Sequence, residues 1–131
     1  MSTTAPTMPP DIRAMRASIA LVLGADIPKA DPGDPESRDA PELRFTGAEL
    51  ETLAGTYRGH IETLIPAVQG LAEQLPSGHP NRVSALLCVG QAQMYLALGP
   101  GDTDAIRGSI ASRLARSVRT LCGHYDRLVP R

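Results

Sequence analysis

The side chains best suited to chemistry in this chain are three histidines (His60, His79, His124), two cysteines (Cys88, Cys122) and a few tyrosines. Cys122-Gly123-His124 has the composition of a ligand pair. On a helix, however, residues two apart project roughly 200° from each other and cannot grip one ion, so no metal site is predicted. His60 and His124 each lie at the edge of an apolar helical stripe, and the two can face each other across a helical bundle. With Tyr57 and Tyr125 beside them and Arg58, Arg113 and Arg116 flanking, they could form a small polar pocket or an acid–base pair. An arginine would then hold an anionic group. The bland alternative is that each half-buried histidine makes a structural hydrogen bond to a neighbouring helix. His79, in the turn between Pro76 and Pro80, is expected to be exposed and without a partner. No Gly-x-Ser-x-Gly elbow and no phosphate-cradling glycine loop occurs, and no cofactor is expected.

Composition narrows the classes further. A length of 131 residues suits one domain. Thirteen basic against 14 acidic residues leave a net charge of −1, which argues against nucleic acid or an anionic membrane as the partner. No run of about 18 apolar residues could span a bilayer, and Met1–Pro10 lacks the basic-then-apolar pattern of a secretory signal. A cytoplasmic protein with two buried, reduced thiols is therefore expected. The basic residues are 12 Arg to a single Lys, Lys29, a codon-bias signature of a GC-rich bacterium.

The elements that must position these side chains are helices. After a Ser/Thr/Pro-rich tail, 1–10, the spacing of Ile12, Met15, Ile19 and Val22 predicts a short amphipathic helix ending at Gly24. Residues 25–45 mix four prolines with acidic side chains and read as an acidic linker. Thr46 with Glu49 forms a capping-box pattern. Leu50, Leu53, Tyr57, Ile61, Leu64, Val68, Leu71 and Leu75 then make one stripe along a long helix over 46–75. A second long helix runs from Asn81 to Leu98, and a third starts at Asp102 or Thr103 with the stripe Ile106, Ile110, Leu114, Val118, Leu121, Tyr125 and Leu128. Short turns between long helices make sequential neighbours antiparallel. The fold class is all-α: an antiparallel three-helix core, 46–131, with a short N-terminal helix that can complete a four-helix bundle.

Two helix faces suggest association. The 81–98 helix is apolar almost all round, so its outer side calls for cover by the 11–23 helix folding back, by a second subunit, or by both. On the 46–75 helix, Gly55, Gly59, Pro66 and Gly70 fall opposite the apolar stripe and form a shallow notch where another backbone could approach. Gly55, Gly59, Leu87, Val89 and Leu96 are the candidate interface residues.

Several stretches together, Arg58-Gly59-His60, Leu64-Ile65-Pro66, Cys88-Val89-Gly90, Leu114-Ala115-Arg116-Ser117-Val118 and Leu121-Cys122 with His124-Tyr125, resemble a family of small actinobacterial, mainly Streptomyces, proteins of unknown function labelled as natural product biosynthesis proteins. The resemblance covers about Leu50 to Leu128. It implies a bacterial cytoplasmic origin and a biosynthetic setting, and it assigns no catalytic residue. The function expected is that of a non-catalytic accessory or protein-interaction domain, homodimeric or bound to an unidentified protein partner. The alternative is a small-molecule-binding or catalytic bundle using His60, His124 and Tyr125.

Overall fold

The computed structural model describes residues 10–23, 45–99 and 101–129. The predicted tail and acidic linker lie outside these, apart from Pro10 and Phe45. Four helices make up the fold: α1 (Ile12–Leu23), α2 (Gly47–Glu73), α3 (Pro80–Leu96) and α4 (Asp104–Leu128), with no strand among the described residues.

Local chemistry accounts for the helix ends. The Thr46 hydroxyl accepts from the Glu49 N–H at 3.1 Å, and the Glu49 carboxylate accepts from the Thr46 N–H at 2.8 Å, so both arms of the capping box form. Thr103 caps α4 by accepting from the Ile106 N–H. Pro80 occupies the first turn of α3, where its missing N–H costs nothing. The expectation that His79 is a free turn residue is corrected here: it is the N-cap of α3, its Nδ1 accepting from the Asn81 N–H at 3.0 Å. Pro66 lies within α2 on the solvent face and does not end the helix. Its missing N–H leaves the Glu62 carbonyl without the usual helical donor, on a side where water can serve instead.

Sequential helices alternate in direction, so α2 and α4 run parallel with their N-termini side by side, and theirs is the most extensive helix–helix interface. Arg107 ties the two starts together, donating to Glu51 at 3.2 Å and to Asp104 at 2.8 Å. At the opposite end Arg82 donates to the Glu73 and Leu75 carbonyls and so closes the C-terminus of α2 against the start of α3. α1 packs on α4, and the Arg16–Asp126 ion pair at 2.7 Å lies on that contact.

The core follows these contacts more closely than it follows the predicted stripes. On α2 the fully or nearly buried set includes Ala54, Ile65 and Ala72, while Leu53 and Leu71 are only half-buried. On α4, which touches the other three helices, the small residues Ala111, Ala115 and Cys122 are fully buried and Ile106 is exposed. Small side chains allow the close approach that a helix surrounded on several sides needs.

Candidate functional site

The histidines come from two different sides of the α2–α4 interface. Arg58 donates to the Leu98 carbonyl at the end of α3, so the 58 side of α2 faces α3. His60, two residues on, projects roughly 200° away from that side, toward α1. On α4, Asp126 pairs with Arg16 of α1. His124, two residues before it, projects by the same geometry away from α1, toward α3. The parallel register, set by Glu51 beside Arg107, also puts His124 roughly 12 Å further along the bundle than His60, at 1.5 Å per residue. The expected His60–His124 pair therefore does not assemble. Helix phase and direction place the two on opposite flanks of one interface.

Each candidate has a local environment of its own. The Nε2 of His60 is buried and has no hydrogen-bond partner, and burial pushes its pKa below the ordinary histidine value. The Tyr57 ring lies 6.4 Å from it, centre to centre. Tyr57 itself is completely buried, and burial, opposed in part by its hydrogen bond to Ser18, raises its pKa to about 12. His124 is buried on α4, its pKa lowered by burial and by the neighbouring Arg127 charge. Tyr125 packs against the core. Arg58 is engaged with the Leu98 carbonyl, while Arg113 and Arg116 point to solvent on the outer face of α4. The three arginines do not converge with either histidine on one cavity. Cys122 and His124 remain on one continuous helix, and among the described residues no three metal-ligating side chains come together. The Cys122 thiol is pushed by burial to about 11.

Two concavities stand out among the described residues. One is a shallow, open depression of about 360 Å³ beside Phe45, Ala48, Glu49, Thr52 and Leu53. The other, about 60 Å³, lies between Arg58, Gly101 and Arg107, where the arginines are already committed to the Leu98 carbonyl and to Glu51 and Asp104. Neither brings together a nucleophile, a base and an oxyanion donor.

The surface feature that stands apart is the outer face of α3. This helix turns its smaller residues inward: Ala85, Cys88, Val89 and Ala92 are buried against α2 and α4. Of its larger ones, Leu86, Tyr95 and Leu96 pack partly against the core, while Leu87 and Met94 are each 70 % exposed and Val83 is 49 % exposed. Val83, Leu87, Gly90 and Met94 are spaced four, three and four apart, so they form one stripe diametrically opposite the buried set. Of the covers considered for this face, the first helix is not one: α1 lies on α4 and leaves the stripe open. Of the predicted interface residues, Leu87 is exposed, as are Gly55 and Gly59 on the outer face of α2. Val89 and Leu96 are corrected. Val89 is 2 % exposed and belongs to the protomer's own interior, and Leu96 is half-buried with its side chain packed against that core. Val83 and Met94 went unpredicted, although their spacing with Leu87 was legible. What hid them was that a helix apolar almost all round does not itself say which side is buried.

Fold and surface together define a small all-α bundle with an unpaired apolar helix face. The chain belongs to a family of unknown function, DUF6415, whose model matches residues 13–130. That match begins inside α1, so the family domain includes the first helix, which the resemblance over Leu50–Leu128 left out. No curated protein and no solved structure matches the chain.

Proposed function

We propose that this protein is a non-catalytic accessory domain that works by binding another protein through the outer face of α3. The observation that carries this reading is the stripe of Val83, Leu87 and Met94, large apolar side chains held outward on a helix whose other side is packed. The separation of His60 from His124 supports the non-catalytic part, since an acid–base pair needs both groups within reach of one substrate. The resemblance to actinobacterial natural product biosynthesis proteins adds a setting: a cytoplasmic partner among the proteins of such a biosynthetic or regulatory system. The test is capture from a lysate of the source cells by the full chain and by a Leu87→Glu variant of unchanged helicity. A protein retained by the wild type and lost from the variant supports the reading, and identical capture by both overturns it.

A further inference from the structure

The stripe on α3 has a property that a general docking face does not need: it is complementary to itself. Val83, Leu87, Gly90 and Met94 follow the heptad spacing of a coiled-coil seam, in which knobs of one helix enter gaps of the next. Gly90 supplies such a gap, since nothing lies within 4 Å of the position a Cβ would take there. An antiparallel two-fold axis at the level of Cys88 and Val89 exchanges Leu87 with Gly90 and Val83 with Met94. Each large exposed side chain then meets either the glycine gap or the other large apolar residue, and none is left over.

Charge agrees with this pairing. Arg82 is the one charged residue of α3, and it is turned back onto the Glu73 and Leu75 carbonyls. The polar residues beside the stripe, Ser84, Gln91 and Gln93, are neutral and exposed. Two copies can therefore approach face to face without like-charge repulsion, which a self-associating surface must avoid and a surface selecting a charged partner need not. The antiparallel arrangement also sets the two helix dipoles in opposition.

We infer that the occupant of the α3 face is a second copy of this chain, packed antiparallel about a two-fold axis with Leu87 of each copy seated over Gly90 of the other. This rests on the reading of α3 as an interaction face and names its partner. The seam is short, roughly 16 Å from Val83 to Met94 at 1.5 Å per residue, so the dimer is a reversible one.

Sedimentation equilibrium of the full chain tests the pairing. The expected result is association from 13.9 kDa toward twice that mass as the protein concentration is raised. Leu87→Glu should stay at the protomer mass with unchanged circular dichroism, because Leu87 is already mostly exposed in the protomer. Orientation is read by oxidative cross-linking of Val83→Cys and Met94→Cys variants. The two should cross-link when mixed and neither should cross-link alone; efficient self-cross-linking of either variant overturns the antiparallel arrangement. A wild type that remains at 13.9 kDa throughout overturns the second copy as partner. The wider reading then stands or falls separately, on whether a different protein is captured in a Leu87-dependent way.

Discussion

The Tyr57 hydroxyl, on α2, donates to the Ser18 carbonyl oxygen, on α1, at 2.8 Å. α1 packs chiefly on α4, so this bond makes the first helix a third-party contact of the α2–α4 pair. Tyr57→Phe keeps the ring in the core and removes only the donor. The expected cost is about 1 kcal/mol of unfolding free energy, measured by denaturant titration. Amide exchange should accelerate in α1 more than in α3.

Acid should weaken the fold through the histidines. Burial lowers the pKa of both His60 and His124 in the folded protein below the 6.5 of an unperturbed histidine. The unfolded chain therefore binds protons first as pH falls, and stability is full above 6.5 and declines below it until the folded-state values are passed. Melting temperature followed from neutrality downward should show this decline. Replacing both residues, His60→Leu with His124→Leu, should flatten it.

His60→Leu alone makes a sharper prediction. The buried Nε2 has no partner, so a side chain of comparable size without a polar atom should raise stability at neutral pH by about 1 kcal/mol. A loss of stability of that size would show that the imidazole makes a contribution its present surroundings do not explain.

The glycines should divide by environment. Gly59 and Gly70 are exposed on α2, and nothing lies within 4 Å of the position a Cβ would take at either. Gly59→Ala and Gly70→Ala should each stabilise by up to about 1 kcal/mol through helix propensity. Gly101 is buried, and a Cβ there would lie 2.8 Å from the Arg107 backbone nitrogen. Gly101→Ala should therefore destabilise by about 1–3 kcal/mol, the usual range for overpacking. Thermal melts of the three variants decide the matter. If Gly59→Leu also lowers the solution mass, the α2 notch is a contact as well.

At the alkaline end Tyr57 and Cys122 act with the opposite sign. Burial raises them to about 12 and about 11, against 10.0 and 9.0 for the free groups. Their contribution is complete below the unfolded values and is lost as pH rises through the folded ones. In an absorbance titration, the difference between wild type and Tyr57→Phe should report a phenol that ionises only at the onset of alkaline unfolding.

The helices and their caps were legible because they rest on local chemistry. Thr46 with Glu49, Pro80 at the start of α3, and the apolar spacing of α2 and α4 act within a few residues, and the structure places the helix bounds within about two residues of those expected. His79 escaped because its role depends on the rotamer that brings Nδ1 back to the Asn81 N–H. The candidate site was less legible. Reading His60 and His124 at the edges of their stripes was sound, but an edge has two sides, and periodicity does not say which neighbour lies on which.

Residue order along the chain was thus enough to dictate an all-α fold, the start and stop of each helix, and the presence of one helix apolar on nearly every side. Packing between helices was needed to lay α2 and α4 parallel, to seat α1 on α4, and to turn Ala85 and Ala92 of α3 inward with Leu87 and Met94 outward. Hydrogen bonds and caps within a helix are short-range, whereas the buried face is chosen by which side chains let neighbouring backbones come close. On α3 the small residues Ala85, Cys88, Val89 and Ala92 won that choice, and Val83, Leu87 and Met94 were left outside.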